Sequence, residues 1–198
     1  MTKALDIAQV VLWTITYILI VLYGFKYRKQ RVLLMPLFSG SLNFAWEINA
    51  LYKSGMIGRA VWAILDVVIL VHNFRLLSAK KRIVYTGWTG VAAVVLLFAF
   101  DTFGMRSLLF SVFIIDVIMS VEYLVLVKKI ARNGKILIGI TRTLGDAAAW
   151  LAYAKETIFV GIAGAVVLIL NLLYLSCCFE EESKAKKGKK DVMAYKCN

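Results

Sequence analysis

Glu47 places a carboxyl group in the run from Leu33 to Tyr52, whose other nineteen residues are uncharged. An ionisable side chain at membrane depth costs at least roughly 2.5 kcal/mol and so faces a bundle interior, where a partner, water or substrate stabilises it. A second acid, Asp66, falls in the next apolar block. With the turn between the blocks centred near Met56 and Ile57, the two carboxyls lie at one depth on neighbouring antiparallel helices. Allowing for the loop, that depth is roughly 10 Å inside the boundary at about 1.5 Å per residue. Asn43 precedes Glu47 by four residues and Trp62 precedes Asp66 by four, so each acid shares a helical stripe with a polar or aromatic companion. The spacing predicts a small aromatic-walled pocket in which Glu47 and Asp66 share a proton that one of them can donate. A hydrogen-bonded pair that merely clamps two helices is the competing reading.

The elements that must position these groups are legible in the composition. Of 198 residues 61% are hydrophobic, mean hydropathy is +0.78 and one residue is proline. Those values belong to a multi-pass membrane protein. At about 20 residues per span, apolar blocks fall near 5–25, 33–52, 58–77, 83–100, 107–127, 136–154 and 157–178. The expected fold is all-α: a seven-helix transmembrane bundle over 1–179, followed by a disordered basic tail over 180–198. Lys26, Arg28, Lys29 and Arg31 follow the first block, Arg75, Lys80, Lys81 and Arg82 the third, and Lys128, Lys129, Arg132 and Lys135 the fifth. The opposite loops are nearly bare, so the N-terminus is expected outside and the tail in the cytoplasm. The net charge of +12 then reports topology and contact with anionic lipid headgroups rather than nucleic-acid binding. The first block shows no cleavage site and is expected to stay as an anchor.

Other residues exclude chemistries. Cys177, Cys178 and Cys197 lie at or beyond the end of the last block, which argues against structural disulfides. With His72 the only histidine, no metal site is expected, and no Asp-Asp pair is present to hold a magnesium diphosphate. Arg142 and Asp146, four apart, are expected to pair along one helix face. Glu122 is explained by nearby Lys128 and Lys129, and Gly87, Gly90, Gly161 and Gly164 by close packing. Asp116, mid-way along the fifth block, is placed on the same cavity as Glu47.

A weak internal repeat runs through the chain. Ala45-Trp46 with Ala50 resembles Ala149-Trp150 with Ala154, and Asp66 and Asn171 follow those tryptophans by 20 and 21 residues. Two helix triplets joined by a fourth helix would form a parallel three-plus-one-plus-three bundle, with Asn43, Glu47, Asp66, Asp116, Asp146 and Asn171 inside. That plan suits a carrier of a vitamin or sugar.

A family resemblance points elsewhere. Leu34-Met35-Pro36-Leu37, with Asn43-Phe44-Ala45-Trp46-Glu47 and Tyr52, resembles the second helix of the integral-membrane terpene cyclases of fungal meroterpenoid and indole-diterpene pathways. Arg59-Ala60-Val61-Trp62 with Leu65-Asp66 is similar to that family's third helix, Thr141 to Gly145 to a later Arg-containing segment, and Leu170 to Tyr174 to its last helix. The resemblance implies proton-initiated cyclisation of a lipophilic polyprenyl substrate, epoxidised or not, without a cofactor. Glu47 matches the family's first acid, whereas Asn171 stands where its second is an aspartate, and an amide does not donate a proton as an acid does. Asp66 is the expected substitute. Phe44, Trp46 and Trp62 would stabilise the carbocation, with Asn43, Asp116, Asp146, Asn171 and Tyr174 completing the pocket. Such a protein would sit in the cell membrane of a bacterium or the endoplasmic reticulum membrane of a fungus.

Overall fold

The computed structural model describes residues 2–27, 35–54, 57–127 and 135–196. Seven helices are present among them: α1 Thr2–Tyr27, α2 Leu37–Ser54, α3 Ile57–Arg75, α4 Ala79–Phe103, α5 Met105–Val125, α6 Lys135–Tyr153 and α7 Ile158–Lys196. The fold is all-α. Long aliphatic stretches without an internal proline allow each helix to satisfy its own backbone, as a lipid environment demands. Pro36, the only proline, stands just before α2, and its carbonyl accepts the Gly40 amide at 3.1 Å. Between α4 and α5 the reversal takes one residue, Gly104, at φ 68°, a backbone state glycine adopts without a Cβ clash.

Four helices, α1, α4, α5 and α7, are long and apolar enough to cross a membrane, and this is a membrane protein. Exposed Ile83, Val84, Val91, Val94 and Phe98 on α4 suit lipid rather than water. Polar residues lower the hydropathy of the shorter α2, α3 and α6, and the bundle buries them: Asn43, Glu47 and Asn49 on α2, Asp66 and Asn73 on α3, Arg142 and Asp146 on α6.

Helix packing has an exchange symmetry. α1 packs on α3 and α6, α2 on α3, α4 and α5, and α7 on α5 and α6. Replacing α1, α2 and α3 by α5, α6 and α7 converts each of these contacts into another member of the set, apart from those of α4 with α2 and α5. α4 is thus an outlying connector, fixed by Asn49 Nδ2 donating to the Ala93 carbonyl at 3.0 Å and by Lys53 Nζ at 2.5 Å from Asp101 Oδ1.

Several expectations change. The tail was expected to lack structure from residue 180, but α7 continues as helix to Lys196. Its sequence is rich in Glu, Lys and Ala, which favour helix, and Glu180 pairs with Lys184 at 2.7 Å, one turn on. Glu122 is not explained by the basic loop alone: its Oε2 accepts the Ser39 amide at 2.8 Å, capping an otherwise unsatisfied donor at the start of α2. Gly87 and Gly90 have open space around them, whereas Gly164 is pressed against Trp150. The loop charges Arg28, Lys29, Arg31, Lys128, Lys129 and Arg132, the turn residue Met56 and Cys197 lie outside the described residues.

Candidate functional site

One face of α1 repeats every turn as Gln9, Trp13 and Tyr17, and all three line a cavity of about 360 Å³. The middle of α2 adds Asn43, Trp46 and Glu47, α3 adds Trp62, α5 adds Val112, Phe113 and Asp116, and α6 adds Ala149 and Tyr153. The cavity therefore lies between the two exchange-related triplets. Exposed Arg106 and Glu156 stand on its wall at the α4–α5 and α6–α7 ends of the helices, so its mouth is at the end of the bundle that carries the start of α1.

The aromatic wall is held by its polar edges. Trp46 Nε1 donates to the Leu108 carbonyl at 3.0 Å, joining α2 to α5. Trp62 Nε1 donates to Thr14 Oγ1 at 2.9 Å, and its ring stacks on Tyr17 at 6.3 Å with a 26° interplanar angle. Trp13 Nε1 donates to Asp146 Oδ1 at 3.1 Å. These indoles line the cavity while each N–H is satisfied in the protein, as buried tryptophans require.

The two acids singled out by spacing occupy different layers. Glu47, 2% exposed, is on the cavity wall. Asp66, fully buried, is not; it lies behind the wall, accepting from Tyr17 Oη at 3.3 Å and from Asn43 Nδ2 at 2.9 Å. Asn43 also donates to Tyr17 Oη at 2.6 Å, closing a three-residue ring among α1, α2 and α3. The physical reason is the occupancy of the wall: Trp62, one turn before Asp66, and Tyr17 cover the space that Asp66 would need. The second carboxyl on the wall is Asp116.

Asp146 and Asn171 also lie off the cavity, in the second triplet. Asn171 Nδ2 donates to Asp146 Oδ2 at 2.7 Å, and Ser120 Oγ is 3.0 Å from Asn171 Oδ1. Arg142 Nε is 3.7 Å from Asp146 Oδ2, the pair expected from their spacing, while its Nη2 donates to Ser120 Oγ at 2.7 Å. The guanidinium also lies 4.6 Å from the centre of the Tyr123 ring, so this buried cation is neutralised and stacked together. Tyr174 is packed edge-on against Tyr123 at 5.5 Å, and Phe44 is half-buried; neither lines the cavity.

The structure thus brings Asn43, Trp46, Glu47, Trp62 and Asp116 to one cavity and leaves Phe44, Asp66, Asp146, Asn171 and Tyr174 outside it. Sequence reasoning passed over Gln9, Trp13 and Tyr17, although their four-residue spacing was a legible signal. Arg106, Tyr153 and Glu156 carried none, because they reach the cavity from separate helix ends. Among the described residues no group of three or more His, Cys, Asp or Glu side chains is arranged to hold a metal ion. Cys177 and Cys178 are free thiols. Compared with family models, with curated proteins and with solved structures, the chain matches none.

Proposed function

We propose that the protein is a membrane-embedded acid catalyst, similar to the terpene cyclases, that cyclises a lipophilic polyprenyl substrate in the cavity. The observation that carries this reading is Glu47, a buried acid on an aromatic wall shared with a second carboxyl, Asp116. The cavity volume of about 360 Å³ falls in the range of small-molecule pockets, roughly 300–1,000 Å³. In the proposed step the Glu47 carboxylic acid gives its proton to an epoxide oxygen or an alkene carbon. Opening of the C–O bond, or addition across the alkene, leaves a carbocation, and a neighbouring π bond attacks it to form the new C–C bond. Loss of a proton to a carboxylate ends the cascade. Trp46, Trp62 and Trp13 face the cation, each contributing up to about 2 kcal/mol where desolvated.

Asp116 rather than Asp66 is the partner acid in this proposal, because it shares the cavity with Glu47 and Asp66 does not. Asp66 then acts through Tyr17 and Asn43, whose orientation it fixes. The proposal includes seven spans, an outside N-terminus and a cytoplasmic tail, with basic loops on anionic headgroups and the substrate entering from lipid. The membrane would be the cell membrane in a bacterium or the endoplasmic reticulum in a fungus.

A second reading, a carrier for a small polar metabolite, is favoured by the exchange symmetry of the two triplets and by a cavity lined from both. Purified protein incubated with polyprenyl epoxides, beside proteoliposomes tested for uptake, separates the two. A cyclised product supports the catalyst; uptake without any product supports the carrier.

A further inference from the structure

The charges on the cavity wall are unequal in number and in depth. Among the described residues, carboxyls come from Glu47, Asp116 and Glu156, and the one cation on that wall is Arg106. Arg106 is exposed and precedes Asp116 by ten residues of α5, about 15 Å along the helix at 1.5 Å per residue. Among the described residues the deep wall therefore has two acids and no basic side chain; Arg142, 5.9 Å from the centre of the Trp13 ring and not on the wall, is paired with Asp146. Asp116 is half-buried on this wall, and its charged neighbours are Glu47 on the same wall and the paired Asp146 and Arg142 off it.

The rest of the deep wall is aromatic. Trp13, Tyr17, Trp46 and Trp62 line it, with their N–H and O–H groups engaged elsewhere. Ring faces carry the negative part of the aromatic quadrupole and attract cations, and a carboxylate in a low-dielectric cavity does the same more strongly. A hard metal ion would need a shell of several oxygens, which this wall does not offer. An anion would meet two carboxyls on the deep wall, while Arg142 nearby is already paired with Asp146. A cation with apolar substituents matches both features at once.

We propose that this cavity binds an organic cation of the ammonium class bearing an apolar body, held by Asp116 and Glu47 and enclosed by the tryptophan faces. The proposal rests on the reading of the cavity as a ligand site. It names the charge of what the site selects: a stable cation, or the cationic state through which a neutral substrate passes.

The test compares two probes on the full chain in lipid nanodiscs: a prenyl trimethylammonium salt and its uncharged isostere with carbon in place of nitrogen. Saturable quenching of tryptophan fluorescence reports binding, and empty nanodiscs correct for partitioning. At least tenfold tighter binding of the ammonium is expected. Asp116→Asn should reduce that preference by about tenfold while the isostere binds as before. Equal affinity for the two probes in the unaltered protein overturns the proposal without any variant needing to fold. So does a preference that survives both Asp116→Asn and Glu47→Gln. Ammonium preference without any cyclised product removes the catalyst reading alone, and cyclised product without ammonium preference removes this inference alone.

Discussion

Asn171 on α7 donates a 2.7 Å hydrogen bond to Asp146 on α6, and the exchange-related triplet holds the same bond with its chemistry reversed. There Asn43 on α2 donates to Asp66 on α3 at 2.9 Å. In one half the acid belongs to the third helix of the triplet, and in the other to the second. Each half thus holds a buried carboxyl–amide pair, and α1 reaches both acids, through Tyr17 to Asp66 and through Trp13 to Asp146.

The pairing predicts a swap. Asn43→Asp alone sets two carboxyls against each other, and Asp66→Asn alone removes the charged acceptor of two bonds. Each should lower stability by about 1–3 kcal/mol. The double exchange rebuilds the pair in the orientation already used by Asp146 and Asn171, so thermal unfolding in detergent should show at least half of the loss recovered. An additive double variant would mean that the two residues are not coupled.

Layering separates the two acids that spacing alone treats alike. Glu47→Gln keeps shape and hydrogen-bonding capacity but removes a donatable proton. Turnover of a polyprenyl epoxide should fall by about 10²- to 10⁴-fold, the usual contribution of general acid catalysis, with substrate binding retained. Asp66→Asn should cost stability first and turnover less. A larger turnover loss at Asp66 than at Glu47, in folded protein, would reverse their roles.

Gly164 offers a packing test beside the cavity, where a Cβ would also lie 3.1 Å from Phe113 of its wall. A Cβ there would collide with the Trp150 indole, which is tethered by its Nε1 to the Gly161 carbonyl at 2.9 Å. Gly164→Ala should destabilise by about 1–3 kcal/mol. Gly87→Ala, where a Cβ meets open space, should be neutral or slightly stabilising. Comparing their unfolding temperatures decides it.

Orientation is tested by single cysteines at Ala79 and Lys155, both exposed, in a chain whose own three cysteines are replaced. Lys155→Cys should react with an impermeant maleimide on intact cells and Ala79→Cys only after permeabilisation. The opposite pattern would invert the bundle.

Much of the fold was written in local sequence. Seven apolar blocks became seven helices because each block is long enough to satisfy its backbone and the one proline, Pro36, falls just before the first residue of α2, and Gly104 marks where a helix must change direction. The value of Glu47 as a buried acid was equally local, since one carboxyl among nineteen uncharged neighbours has few places to go. Which acids share a cavity was not. Asp66 and Glu47 have matching depths by residue count, but depth does not say what covers a side chain: Asp66 shares the Trp62 stripe yet is bonded to Tyr17 and Asn43, which line the cavity in its place. Asp116 joins Glu47 because α5 packs on α2, a contact between segments far apart in the chain that no periodicity encodes. The sequence by itself determined that acids and tryptophans would be buried; only the packing of two triplets decided which of them face the same empty space.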